Sequence, residues 1–243
     1  MDVLAVVANE QWLPAALQVF YSAKKYGNWK GDYLVVAVNC WPESLCDKGI
    51  HVAPVSFDGA PNYGKFHLLK TDMQKWDRVI CYDGDVIIET DINDLSNVNQ
   101  FSAVQEPNFP LLKNQIAVRR WKAMRKMGFD LTASVFNGGF FVLPTSEIKT
   151  HWFNDIWEIE HKFKDWSLAT DQHIQNIMFY KKWHPLDAKY NCLTPNKNKK
   201  QVQHFAGQTR PWKPNSEWKD RWNTNYKNAL ETSFGSQTTI MHL

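Results

Sequence analysis

Apolar and polar positions follow two rhythms along this chain, and the rhythms take turns. Leu4–Val7 is a short unbroken apolar run, as expected of a strand covered on both faces. Pro14 stands where a helix can begin, and Ala15, Ala16, Val19, Phe20 and Ala23 recur at helical spacing up to Tyr26-Gly27. Tyr33–Val38 and Ile50–Val55 are two further apolar runs. Phe66, Leu69 and Met73 fall at i, i+3 and i+7, which predicts a helix over Phe66–Lys75. Arg78–Tyr82 reads as a strand again and ends at Asp83-Gly84-Asp85. Strands alternating with helices predict an α/β domain with a mostly parallel sheet and helices on both faces. In such sheets ligands bind beyond the carboxyl ends of the strands.

The second half is less regular. Phe136-Asn137-Gly138-Gly139-Phe140-Phe141-Val142 reads as a loop feeding a buried strand. Trp152–Phe163 and Asp171–Tyr180 read as helices, and Trp218–Thr232 as a last one. The polar, Lys-rich stretch 191–200 reads as an exposed loop. No repeat and no linker divides the 243 residues, so one domain is expected.

Composition narrows the classes. Charged residues make up 22% and hydrophobic ones 44%, an ordinary globular profile that argues against disorder. The net charge of +3 is too small to make nucleic acid the expected partner. Cys40, Cys46, Cys81 and Cys192 are scattered without a C-x-x-C pair, which suggests free thiols in a reducing compartment. Met1–Val7 carries no basic leader, and no apolar run nears the ~20 residues of a membrane span. The expectation is a soluble, cytoplasmic protein. The 12 Trp are expected mainly in the core, with only a hint toward carbohydrate, whose ring faces stack on indoles.

Four local patterns carry chemistry. Asp83-Gly84-Asp85 sets two carboxylates at the carboxyl edge of a strand, suited to a divalent cation that would hold a diphosphate, although Asp-Gly is also a hairpin signal. His204-Phe205-Ala206-Gly207-Gln208-Thr209-Arg210 can set an imidazole on that cation and a guanidinium on phosphate. Two carboxylates and an imidazole favour Mn²⁺ over Mg²⁺. Asn137-Gly138-Gly139 allows close approach of a ligand, or is simply a turn. Asp171-Gln172 opens a helix, where Asp171 can serve as an N-cap.

Taken together and in this order, these patterns resemble glycosyltransferase family 8, the family of glycogenin and bacterial lipopolysaccharide galactosyl- and glucosyltransferases. The resemblance runs from Val6 to Trp212 and includes Asn176 near the Asp-Gln pair. It implies a GT-A fold, a single Rossmann-like domain with a nucleotide-binding half over about 1–105 and an acceptor half over about 106–243. It also implies a UDP-sugar donor, manganese, and retention of anomeric configuration. Asp83, Asp85 and His204 would be the metal ligands. Ala8, Asn9 and Trp12 would meet the base, and Lys65 the donor phosphate and sugar. Gly84 lies between the metal carboxylates. Asn137, Gly138, Asp171 and Gln172 would surround the transferred sugar, and Gly207 and Arg210 would touch the diphosphate. Asp171, Gln172 and Arg210 would be the catalytic residues, with Asp171 as nucleophile or only as a positioning group. The expected acceptor is a carbohydrate, glycolipid or glycoprotein.

Two departures stand out. Arg210 replaces the family's usual Lys, and Ser167-Leu168-Ala169-Thr170 lacks an acidic residue some members carry before Asp-Gln. Two rival readings remain at this stage. A sugar-phosphate nucleotidyltransferase would want a Gly-rich basic loop after the first strand, where Ala8-Asn9-Glu10 stands. A non-catalytic carbohydrate-binding protein would have no need of Asp83, Asp85, His204 and Arg210 together.

Overall fold

The computed structural model describes residues 1–207 and 210–241. The chain begins with β1 (Val3–Ala8), α1 (Leu13–Lys25), β2 (Asp32–Val38), β3 (His51–Val55) and β4 (Arg78–Tyr82). A short β5 (Val86–Ile88) and β6 (Ser102–Gln105) follow. Then come α2 (Trp121–Lys126), β7 (Phe136–Pro144), α3 (Trp152–Phe163) and α4 (Thr170–Met178). The two-residue β8 (His184–Pro185), β9 (Val202–His204) and α5 (Lys219–Glu231) complete the order. The central sheet runs β3-β2-β1-β4-β7-β6-β8, and β5 pairs with β9 in a separate ribbon. β3, β2, β1 and β4 are parallel, while β7 runs against both β4 and β6.

The expected alternation is therefore found, with its cause visible in β1. Val3 and Ala5 enter the core on one face of the sheet, and Leu4, Val6 and Ala8 enter the core on the other. Both sides of the strand are dry, so the run is apolar throughout instead of alternating with polar residues. α1 covers the second face through Ala16, Val19, Phe20 and Ala23, and α5 lies against α1. α3 and α4 cover the first face with Ile156, Phe163, Ile174 and Ile177.

Three expectations need correction. Phe66–Lys75 is not one α-helix but two 3₁₀ segments, Pro61–Leu69 and Thr71–Lys75, separated by an extended Lys70 (ψ 148°). Phe66, Leu68, Leu69 and Met73 are all buried, more sides than one α-helical stripe would bury. Phe136–Val142 holds no loop, because β7 begins at Phe136 and all nine of its residues are buried. Its glycines serve clearance, not turning. Asp171 is not an N-cap, since Ala169 holds that position and the Asp171 carboxylate points to Lys65. The stretch 191–200 is exposed from Asn196 to Lys200, but Asn191 is buried.

Among the described residues no helix is long and apolar enough to cross a membrane. The four cysteines are unpaired thiols. Trp29, Trp76, Trp218 and Trp222 are buried, and Trp121, Trp152, Trp157, Trp166 and Trp183 pack against the first core. The tryptophans mainly fill the interior, as composition suggested.

Candidate active site

The candidate metal-ligand cluster is assembled by strand pairing. β4 delivers Asp83 at its carboxyl edge, where the Asp83 N–H donates to the Gly139 carbonyl at 2.8 Å. Asp85 precedes β5, and β5 pairs with β9 in a register that sets Val86 opposite His204. The Phe205 N–H donates to the Asp85 carbonyl at 2.9 Å, which extends the ribbon past the site. Residues more than a hundred positions apart in the chain thus meet. One ligand atom from each of Asp83, Asp85 and His204 lies within 4.8 Å of the others.

The orientation of His204 is fixed from behind. Its Nδ1 lies 2.7 Å from Asn191 Oδ1. Asn191 Nδ2 donates to Asn137 Oδ1 at 2.9 Å, so the Asn191 oxygen is the face left for the imidazole. Nδ1 therefore carries the proton, and the Nε2 lone pair faces Asp85 Oδ1 at 3.3 Å and Asp83 Oδ2 at 3.9 Å. Burial lowers the His204 pKa, Asp83 opposes that and Lys65 reinforces it. A neutral imidazole turned on two carboxylates is acceptor against acceptor, an arrangement that a divalent cation satisfies. The residues present fit such an ion.

Asn137 is the junction of this network. Its Nδ2 donates to Glu106 Oε2 at 2.7 Å and to Gln172 Oε1 at 3.1 Å, and its Oδ1 accepts from the Gly139 N–H at 3.0 Å and from Asn191. All four of its hydrogen-bonding positions are spent inside the protein. Gln172 Oε1 also accepts from the Gly138 N–H at 2.9 Å.

Two cations balance the carboxylates. Lys65, 4% exposed, donates to Asp83 Oδ1 at 2.6 Å, Asp171 Oδ2 at 2.9 Å and the Gly138 carbonyl at 2.9 Å. Burial alone would lower its pKa, but Asp171 and Asp83 outweigh it and hold it above the usual lysine value. Burial likewise pushes the Asp83 carboxyl up, while Lys65 more than reverses this and leaves it lowered. Asp171 also accepts from Gln175 Nε2 at 2.9 Å, Thr170 Oγ1 at 3.1 Å and Asn62 Nδ2, so both its oxygens are engaged. Arg210 pairs with Asp85 Oδ2 and lies 5.0 Å and 5.7 Å from the ring centres of Trp12 and Trp212.

One cavity of about 730 Å³ is lined by every site residue singled out in the sequence. Ala8, Asn9 and Trp12 stand at one part of its wall, and Asn9 Oδ1 is buried without a hydrogen-bond partner. Gly207 adopts φ 70°, the left-handed region open to glycine. Gln208 and Thr209 of the same motif lie outside the described residues. Trp12 is the one tryptophan on the cavity wall among the described residues. Sequence reasoning missed Glu106 and Asn191, which complete the network behind His204. Glu106 follows β6 directly, so the rule of ligands beyond strand ends could have found it.

Gly139 shows how tight the site is. A Cβ there would lie 2.4 Å from His204 Cε1 and 2.7 Å from Asp83 Oδ2. Gly139→Ala is expected to destabilise the fold by about 1–3 kcal/mol, because both clashing groups are held by hydrogen bonds or ion pairs. Urea unfolding checks this, and an unchanged midpoint would contradict the packing described.

Comparison with known proteins agrees with this fold. The chain is similar to the galactosyltransferase LgtC solved in complex with donor and acceptor sugar analogs, with a TM-score of 0.70 and 13% identity over 94% of this chain and 96% of that one. It is similar to the glycosyltransferase GlyE of Streptococcus pneumoniae TIGR4, with a TM-score of 0.66 and 14% identity over 99% of this chain and 66% of that one. The bifunctional glycosyltransferase WbbM in its apo form gives a TM-score of 0.61 and 14% identity over 93% of this chain and 51% of that one. At such identities the likeness speaks for a GT-A fold. No curated protein matches the chain by sequence. The model of a family described as Glycosyl transferase family 8 matches residues 59–216, a stretch that holds the carboxylate pair, the Asn-Gly-Gly strand, the Asp-Gln helix and the histidine loop. With that match covering well over half its length, the chain belongs to glycosyl transferase family 8 and is a glycosyltransferase.

Proposed function

We propose that the protein is a retaining, Mn²⁺-dependent hexosyltransferase that moves the sugar of a UDP-sugar to an acceptor hydroxyl, in a cytoplasmic setting. The observation that carries the reading is the single cavity where Asp83, Asp85 and His204 converge with Lys65 and Arg210. Its volume falls within the range of pockets that enclose small ligands. Mn²⁺ held by Asp83, Asp85 and His204 would neutralise charge on the leaving diphosphate.

The protein's own groups divide the remaining work. Asn9 Oδ1, a buried acceptor without a donor, suits an N–H on the base edge, and Trp12 offers an aromatic wall beside it. Arg210 and the Gly207 backbone suit the diphosphate, since Arg210 can exchange its bond to Asp85 for one to phosphate. Gly138, Asp171 and Gln172 form the sugar end, with Asn137 bracing them from within. Asp171 acts there as a positioning group. A carboxylate with both oxygens engaged and an ammonium at 2.9 Å is a weak nucleophile. Retention then follows from attack on the face the diphosphate leaves, with the departing phosphate taking the acceptor proton.

The test is a donor screen. UDP-glucose, UDP-galactose, UDP-N-acetylglucosamine and GDP-mannose would each meet the protein with Mn²⁺ or with EDTA. The expected outcome is binding and slow hydrolysis of one UDP-sugar, dependent on the metal. Binding and hydrolysis of a donor that are indifferent to EDTA would overturn the metal-dependent reading.

A further inference from the structure

One surface of the protein carries a charge excess that the site does not use. Between Glu106 and Asp130 the chain has Lys113, Arg119, Arg120, Lys122, Arg125 and Lys126 and not one acidic residue. These six cations exceed the net charge of the whole chain, +3, so the remainder is net acidic. Among the described residues none of the six forms a salt bridge. Arg119, Lys122, Arg125 and Lys126 are exposed, while Arg120 lies over the Trp166 ring at 4.9 Å. The flanking acids do not neutralise them. Asp130, which ends the segment, pairs with Lys181.

Exposed apolar side chains are set among these charges. Val118 is 70% exposed and Met127 37%, at the two ends of the basic run. Leu168, 69% exposed, is tied to the same surface. Its N–H donates to the Gln115 carbonyl at 2.9 Å, Ile116 bridges Ser167, and the Ala117 N–H donates to the Trp166 carbonyl at 3.0 Å. Leu168 also lines the active-site cavity, as does the exposed Phe109. The basic surface therefore borders the mouth of the cavity.

We propose that this surface docks the enzyme on an anionic membrane, with the cavity mouth beside the headgroup layer. The proposal rests on the glycosyltransferase reading of the cavity. Clustered cations on a helix attract anionic headgroups, each contributing a favourable increment near the surface. The interleaved Val118, Met127 and Leu168 decide between a lipid surface and a soluble polyanion. A polyanion in water gains nothing from exposed aliphatic groups, whereas a headgroup layer can bury them. Polybasic loop residues Lys197, Lys199 and Lys200 lack such apolar company, and Lys197 already faces Glu217.

Co-sedimentation with phosphatidylcholine vesicles, with and without phosphatidylglycerol, tests this. The native protein is expected to pellet with the anionic vesicles only, and to be released as salt rises. The variant Arg119→Gln/Lys122→Gln/Arg125→Gln/Lys126→Gln is expected to bind them at least about 50-fold more weakly. Val118→Ser/Met127→Ser is expected to weaken vesicle binding several-fold and leave heparin binding unchanged. Native protein that ignores anionic vesicles, or a four-site variant that binds as well as native, overturns the proposal. So does an apolar pair whose replacement leaves vesicle binding intact, which would point to a soluble polyanion. None of these substituted side chains lines the cavity, so metal-dependent donor hydrolysis in solution reports folding in every variant. Loss of that hydrolysis in all forms, native included, would count against the donor reading and leave the vesicle result to stand by itself.

Discussion

Lys65→Met is expected to lower the thermal midpoint of the metal-free protein by about 10 °C, an effect of about 3–5 kcal/mol on stability. Lys65 is 4% exposed and spends its three protons on Asp83, Asp171 and the Gly138 carbonyl. Methionine fills the space and supplies no charge. Asp171, itself 5% exposed, would keep its hydrogen bonds from Gln175 and Asn62 but lose its only ion-pair partner among the described residues. Removing one partner of a buried pair costs more than the pair itself contributes, because the other charge stays desolvated. Lys65→Arg is not expected to rescue, since a planar fork cannot reproduce three bonds radiating from one nitrogen. A second readout separates electrostatics from packing. Mn²⁺ should raise the midpoint of Lys65→Met more than that of the native protein, because the ion takes over the neutralisation of Asp83. Calorimetry with and without Mn²⁺ checks both points. A variant that melts with the native protein would mean that the carboxylates do not need this ammonium.

What could be read in the sequence tracks the length and dryness of each element. β1, β2, β3 and β4 are five to seven residues long and apolar apart from the opening Asp32, His51 and Arg78, because covered faces leave few polar positions to blur the run. The carboxylate pair was legible for the same reason, since it ends such a run. The pairing that brings His204 to it was not. β5 and β9 have three residues each, too short for any period to show, and their register is set by tertiary contact. The local His-Phe-Ala-Gly pattern made His204 a candidate, and resemblance to a family joined it to the carboxylate pair. Asn191 was hidden by its neighbours, because it starts a polar, Lys-rich stretch and is nonetheless 2% exposed. Asn137-Gly138-Gly139 was misread in its local form for a related reason. Glycines in a strand usually signal a turn, but here Gly139 leaves room for the Asp83 carboxylate and the His204 ring, and Gly138 for Gln172.

The candidate metal site is expected to give a graded series of affinities. Asp85→Ala is expected to abolish measurable Mn²⁺ binding and metal-dependent donor hydrolysis, since it removes one of three ligands and also frees Arg210 to crowd the site as an uncompensated cation. Asn191→Leu is expected to weaken Mn²⁺ binding by about 10–100-fold without touching a ligand. Its oxygen accepts from His204 Nδ1 and so keeps the Nε2 lone pair on the carboxylates. Without it, the ring can take the other tautomer and turn a proton toward the ion. Asn191→Asp should recover much of the loss, because a carboxylate still accepts from Nδ1, though it can no longer donate to Asn137 Oδ1. The free-ion electron paramagnetic resonance signal reads these affinities in the absence of any sugar donor, so a defect in catalysis cannot imitate them. If Asn191→Leu bound Mn²⁺ as tightly as the native protein, the buried chain from Glu106 through Asn137 and Asn191 would be packing alone. If it failed and Asn191→Asp recovered, the acceptor oxygen behind the histidine, and not the shape of the side chain, would be what the metal site requires.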